Sequence, residues 1–272
     1  MVDSSDSALF TRRHILQALG LTSLAIAIPV DVLAATKSKK TPAAGSRLLM
    51  IDPGHGGRDP GAVGRTGLYE KDVVLDVSRQ LANEMNKIPG LTVKLTRDSD
   101  KFIPLNERVK IAQGAKADLF ISIHADSAPD RSARGLSAYT LSKTASDNFS
   151  QAIAKQENLA DLMGGIDIKD TDEQTASILM DLAARHTKTA SLKAKMELVS
   201  GIGRDWPLLE NPMRSANFAV LRAPDLPSML IETGFLSNDR DETILRDRTN
   251  RKKIAVLLAR EFKTILNSAP FV

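Results

Sequence analysis

The sequence predicts one α/β domain filling residues 47–272 of a 272-residue chain. Three observations lead there. Short apolar runs alternate with stretches of helical periodicity, the order expected of an α/β domain. Hydrophobic residues make up 42% of the chain, which is enough for a single sizeable core. Residues 35–46 mix Lys, Pro, Ser and small residues without an apolar period, so they read as a flexible linker ahead of that core.

The first strand is expected at 48–51. A helix follows at 70–88, where Val74, Val77, Leu81, Met85 and Ile88 recur at steps of three and four and lay one apolar stripe on a sheet. Strands at 91–95 and 119–123 bracket a helix at 105–112. Further strands are expected at 135–141, 218–221 and 229–231, and a helix at 254–265 closes the chain. Between about 142 and 212 the pattern changes to two helical segments with no strand between them, a long excursion for a connection in a compact sheet. The first segment carries Phe149, Ile153, Gln156, Ala160 and Met163 on one face and stops at Gly164-Gly165. The second carries Ile178, Leu182, Leu192, Met196 and Val199. No internal repeat is present.

Composition narrows the function. A net charge of +4 and an aromatic content of 4% point to no nucleic-acid stripe and no base-stacking platform. The absence of cysteine removes disulfides, thiolate metal sites and a cysteine nucleophile together. At the start, Thr11-Arg12-Arg13-His14-Ile15-Leu16 precedes an apolar stretch from Ala18 to Val30 and then Val32-Leu33-Ala34-Ala35, which resembles a twin-arginine export signal over residues 1–34. Gly20, Thr22, Ser23 and Pro29 interrupt the stretch, and it falls short of the roughly 20 apolar residues a membrane span needs. A short amphipathic or anchoring helix is the alternative. Export to the periplasm, with no stable membrane insertion after cleavage, is the expectation.

Four motifs place ionisable side chains where strands end or helices begin. In Ile51-Asp52-Pro53-Gly54-His55-Gly56-Gly57 a strand runs into a glycine-rich turn, where backbone and ligand approach closely. A phosphate-cradling loop would carry Gly-Lys-Ser/Thr or G-x-G-x-x-G, and neither is there. Glu70 opens the first helix, where the helix dipole alone would favour a carboxylate. Phe120-Ile121-Ser122-Ile123-His124-Ala125-Asp126 ends a buried strand on a histidine, at the sheet edge where ligands of open α/β folds gather; a satisfied core histidine is the alternative. Met229-Leu230-Ile231-Glu232-Thr233-Gly234-Phe235 ends another strand on a carboxylate too costly to bury unpaired; a structural ion pair is the alternative. His186, beside Arg185 and Lys188, reads as a surface residue.

Two imidazoles and a carboxylate make a zinc site with an open position for water, whose pKa falls from 15.7 toward about 7 on such an ion. Nitrogen and oxygen ligands without sulfur suit zinc, and also fit manganese or iron. Glu232 would then take the proton of that water and return it to a departing amine.

With these motifs in this order, the chain from residue 48 to 266 resembles the zinc-dependent N-acetylmuramoyl-L-alanine amidases of the amidase type 3 family. The resemblance implies His55, Glu70 and His124 as ligands of one zinc ion and Glu232 as the catalytic carboxylate. It implies a mixed, mainly six-stranded sheet flanked by helices, and hydrolysis of the amide between N-acetylmuramic acid and L-alanine in peptidoglycan. Asp126, Arg214 and Asn217 are weaker candidates for supporting contacts. The helical excursion at 142–212 is similar to that of the regulated, cell-division members, in which an inserted helix occludes the zinc until a periplasmic activator protein displaces it. Glu157 is the candidate blocking fourth ligand, with a solvated helical glutamate as the alternative, and the helix from Thr175 to Val199 is the candidate docking surface for the activator. Many relatives carry a separate wall-binding domain, for which residues 35–46 are too short, so targeting is expected from the catalytic domain or a partner. Two other functions share these residues: a non-catalytic, metal-dependent peptidoglycan-binding module, and a zinc peptidase or deacetylase.

Overall fold

Six strands, β1 (Arg47–Pro53), β2 (Leu91–Leu95), β3 (Leu119–His124), β4 (Leu136–Leu141), β5 (Leu208–Ala216) and β6 (Ser228–Glu232), form one sheet in the computed structural model. Their spatial order is β2-β1-β3-β6-β4-β5. The first four run parallel, β4 is antiparallel to β6, and β5 is parallel to β4. This is the mixed six-stranded sheet that the resemblance implies. The structure describes residues 46–165 and 178–272. The export signal at 1–34, the linker up to residue 45, Thr175 and the side chains of Ile178 and Leu182 lie outside the described residues.

Successive side chains of a strand point to opposite faces, and strands covered on both sides read as continuous apolar runs. Leu49, Ile51, Leu119, Ile121, Ile123, Met229 and Ile231 enter one core with α1 (Glu70–Met85), α5 (Ile178–Ile202) and α7 (Arg248–Leu266). Met50, Phe120, Tyr139 and Leu230 enter the other with α2 (Leu105–Gly114), α3 (Asn148–Glu157) and the first residue of the short α4 (Ala160–Met163). Parity alone therefore puts His124 and Glu232 on the α2/α3 side, and the register pairs them as direct neighbours at the carboxyl ends of β3 and β6.

Three expectations are corrected. Residues 218–221 are not a strand: Ala219–Leu221 is a single 3-10 turn, apolar because Phe218, Val220 and Leu221 are buried in the second core. The sixth strand is β5, inside the stretch expected to be purely helical, so the insertion between β4 and β5 spans 142–207. As an edge strand with Pro212 and with Asn211 at φ 52°, β5 has no apolar run to announce it. The second insertion helix, α5, turns Ala190, Ala194, Leu198, Val199 and Ile202 inward and leaves Leu192 and Met196 exposed. Ala190 and Ala194 share the packed face with Leu198, Val199 and Ile202, so Val199 of the expected stripe lies on it while Leu192 and Met196 do not. In addition, α1 ends at Met85 because Ile88 precedes Pro89, which disfavours helical backbone. The polar helix α6 (Asp239–Arg246) gave no apolar signal, since Leu245 is its one residue in the core.

Candidate metal centre

The turn after β1 is held from below. Arg97 donates to the carbonyls of Pro53 (2.9 Å) and Gly54 (2.6 Å), and Arg108 donates to those of Pro53 (2.8 Å) and His55 (2.7 Å). This clamp keeps His55 at φ 59°, a left-handed conformation that costs a non-glycine residue about 1–3 kcal/mol. Gly54 is required next to it, because a Cβ there would enter the His124 ring. At Gly61, φ 67°, a Cβ would lie 2.6 Å from both Glu70 Oε2 and His55 Cδ2.

These constraints bring His55, Glu70 and His124 together with Glu157, the last residue of α3, so that one ligand atom from each lies within 4.8 Å of the others. All four are buried. His55 Nε2 is 3.2 Å from Glu70 Oε2 and 3.6 Å from Glu157 Oε1; His124 Nδ1 is 3.2 Å from Glu70 Oε1 and 2.9 Å from Glu157 Oε2. Although burial disfavours the cations, Glu70 and Glu157 raise both histidines well above their ordinary range. Burial likewise opposes ionisation of Glu157, yet His124 and His55 hold it down to about 2. His55 Nε2 and Glu157 Oε1 have no hydrogen-bond partner among the described residues. Two imidazole nitrogens and two carboxylates around unpartnered buried atoms fit a divalent ion, whose charge the two carboxylates balance.

The outer nitrogens of the histidines are oriented. His55 Nδ1 donates to Asp59 Oδ2 at 2.7 Å, which turns Nε2 toward Glu70 and Glu157. Ser122 Oγ has one proton, and it donates this to Asp52 Oδ2 at 2.8 Å; it therefore accepts from His124 Nε2 at 3.1 Å, which turns Nδ1 toward Glu70 and Glu157. Asp52 also accepts from Thr96 Oγ1 (2.6 Å) and Arg108 (3.0 Å).

Glu232 sits beside this cluster, fully buried. Its Oε2 accepts from the Asp126 N–H at 3.0 Å, while Oε1 has no partner among the described residues. Burial raises Glu232 to about 8, with His124 opposing and Glu70 and Glu157 reinforcing. Burial also raises Asp126, helped by Glu157 and Glu232, and its Oδ1 accepts from Gln156 of α3.

Residues 49–262 match the family described as N-acetylmuramoyl-L-alanine amidase, Amidase_3. The chain belongs to that family. It is 41% identical over 209 residues to N-acetylmuramoyl-L-alanine amidase AmiC of Escherichia coli O6:H1, an alignment covering 76% of this chain and 50% of that protein. It is 37% identical over 261 residues to AmiA of Escherichia coli K12, covering 92% of this chain and 90% of that one. The chain thus spans about half of one relative and nearly all of the other. Among solved structures, N-acetylmuramoyl-L-alanine amidase AmiC2 of Nostoc punctiforme superposes with a TM-score of 0.57 at 28% identity, over 83% of this chain and all of that one.

Of the residues singled out in the sequence of this amidase-family chain, His55, Glu70, His124 and Glu157 cluster, Glu232 lies beside His124, and the Asp126 N–H donates to Glu232. Arg214 and Asn217 do not reach the cluster. Arg214 pairs with Asp147 at 2.6 Å and lies over the Phe149 ring, and the Asn217 carbonyl accepts from Asn158 at 2.9 Å, so both hold α3 instead. His186 is exposed, as expected. Sequence reasoning missed Asp59, Ser122, Asp52 and Arg108. Only Asp59 left a readable sign, an acidic residue four positions after His55 in the glycine turn.

Proposed function

We propose that this chain is a zinc-dependent amidase that hydrolyses the bond between N-acetylmuramic acid and L-alanine in peptidoglycan, held closed by Glu157 until an activator protein moves α3. The observation carrying this reading is the fourth ligand position: Glu157 completes a cluster whose other members are His55, Glu70 and His124, next to a carboxylate with one free oxygen.

A zinc ion held by His55, Glu70 and His124 would supply Lewis acidity, polarising the scissile carbonyl and acidifying water. Glu232 is tethered through Oε2 and keeps Oε1 free to take a proton from the attacking water and return it to the alanine nitrogen as the amide breaks. The Asp126 N–H fixes the position of that carboxylate. With Glu157 in the remaining position no water can be activated, so turnover requires α3 to leave. Exposed Leu159, Leu162 and Met163, which follow α3, offer an apolar surface on which an activator would pull, and α5, on the other face of the sheet, exposes Leu192 and Met196 as a separate docking surface. Export of 1–34 by the twin-arginine route, a linker at 35–46 and a catalytic domain at 47–272 would place the protein in the periplasm for wall remodelling and daughter-cell separation. No helix among the described residues is long and apolar enough to cross a membrane.

The test is purified wall incubated with the protein, with and without chelator, read as newly freed alanine amino groups. Glu157→Ala is expected to raise zinc-dependent release and Glu232→Gln to abolish it. Chelator-insensitive release, or no gain with Glu157→Ala, would contradict the respective halves of the proposal.

A further inference from the structure

A second concave site lies on the same edge of the sheet. Residues of the loop between His55 and Glu70, of the loop that follows His124, and of the loop and first turn of α6 that follow Glu232 line an open hollow of about 370 Å³. Its walls carry Arg65, Arg131, Arg134 and Arg240, against a single lining carboxylate, Asp239. Nearby acidic groups are already committed. Asp239 pairs with Arg65 at 2.6 Å. Asp241 accepts from the N–H groups of Gly135 (2.7 Å) and Phe235 (3.0 Å) and lies 3.7 Å from Arg134 Nε. Glu242 accepts from the Thr66 N–H at 2.9 Å and pairs with Arg246 at 3.1 Å. Arg134 Nε is buried without a hydrogen-bond partner among the described residues. Arg131 and Arg240 are exposed at the mouth, with no ion pair among the described residues.

The frame beneath these arginines is fixed. Asn238 Oδ1 accepts from the N–H groups of Arg240 (3.1 Å) and Asp241 (3.3 Å), and its amide donates to the Arg131 carbonyl at 2.8 Å. The loop carrying Arg131 is thereby tied to the start of α6. Guanidinium forks on a fixed frame suit a carboxylate, which they grip through paired hydrogen bonds. The volume is near the lower end of small-ligand pockets, about 300–1,000 Å³, and suits an acidic side chain better than a sugar ring.

We infer that this cavity binds a free carboxylate of the peptidoglycan stem peptide, holding the peptide while its lactyl amide lies at the metal centre. The inference rests on the amidase reading above, since the three loops that line the cavity are those bearing the proposed ligands and Glu232. A cationic hollow lined by the chain segments that follow His55, His124 and Glu232 would favour uncapped, anionic stems over those with amidated acids.

The experiment is fluorescence anisotropy with the full chain and a labelled stem tripeptide (L-alanine, D-glutamate, diaminopimelate), against the same peptide with its carboxylates converted to carboxamides. The wild-type chain should bind the acid form about tenfold or more tightly. The double substitution Arg131→Gln/Arg240→Gln should erase that preference, and Arg131→Lys/Arg240→Lys should restore part of it. Equal affinity of the wild type for both peptides would overturn the inference, as would undetectable binding, or an equal loss for both peptides in the Gln variant. Inorganic phosphate included as a competitor tests the other source of such chemistry: displacement of both peptides alike would assign the cavity to phosphate. Because the tripeptide lacks the lactyl amide, its binding is read whether or not the chain cleaves wall, so the two proposals fail separately.

Discussion

Asn158, the residue that caps α3, offers a way to loosen the proposed lock without touching the cluster. Its side-chain amide donates to the Asn217 carbonyl at 2.9 Å, and its Oδ1 accepts from the Ala219 N–H at 2.7 Å. Each neutral hydrogen bond contributes about 0.5–1.5 kcal/mol net, so Asn158→Ala should cost the closed position roughly 1–3 kcal/mol. At about 1.4 kcal/mol per factor of ten, the fraction of molecules with α3 displaced rises roughly 5- to 150-fold. The half-buried setting favours the lower part of that range, about tenfold, because water replaces the lost partners. Basal release of alanine amino groups from purified wall, measured with zinc and without activator, should rise by the same factor, while stimulation by an activator shrinks. Glu157 is intact in this variant, so the gain cannot come from an altered ligand set. If the basal rate stays at the wild-type value while Glu157→Ala raises it, α3 is not gated through this contact. If neither substitution raises it, the closed-site argument fails as a whole.

Two further perturbations read the scaffold. Arg108→Met strands Asp52 in the core and removes the donors to Pro53 and His55; breaking a buried pair costs about 3–5 kcal/mol, so chemical denaturation should show a loss of that size together with weaker zinc binding, and a loss below about 1 kcal/mol would refute the clamp. Lys195, buried in α5, donates to Thr140 Oγ1 at 3.0 Å and the Arg214 carbonyl at 2.6 Å, and burial lowers it from 10.5 to about 8. The unfolded chain therefore holds a proton that the folded chain releases between about pH 8 and 10.5, so this site's contribution is least favourable below 8 and improves as pH rises through that window. Relative to wild type, Lys195→Met should flatten stability against pH there, by up to about 3 kcal/mol across the window; parallel urea-denaturation curves would refute it.

What the sequence discloses about this fold follows burial. β1, β3 and β6 are covered on both faces and read as unbroken apolar runs, so their ends, and with them His55, His124 and Glu232, are placed without a structure. β5 is the opposite case, an edge strand with Pro212 whose partly solvated residues carry no run. The supports of the cluster are silent for another reason. The bonds from Thr96, Arg108 and Ser122 to Asp52 join residues 44, 56 and 70 positions apart, and no local pattern encodes a meeting at that separation.

Glu157 shows where apolar periodicity misleads. A stripe drawn through Phe149, Ile153, Gln156 and Ala160 puts Gln156 inside, yet the buried face of α3 is Ser150, Ile153, Ala154 and Glu157. Two of those four are polar, so hydrophobicity cannot find the face. The chemistry explains the choice. An anion on the inner face of an inserted helix is costly unless a positive charge awaits it, and the atoms that await Glu157 are two histidine nitrogens that would share a divalent ion. Docking of α3 and filling of the metal centre are then linked. On the proposed reading, a bound ion strengthens the closed state through Glu157, and whatever displaces α3 must outweigh that bond as well as the contacts of Gln156, Asn158 and Asp161. On that same reading, such a lock would tighten when zinc is loaded and would keep the loaded form from acting on wall before an activator arrives.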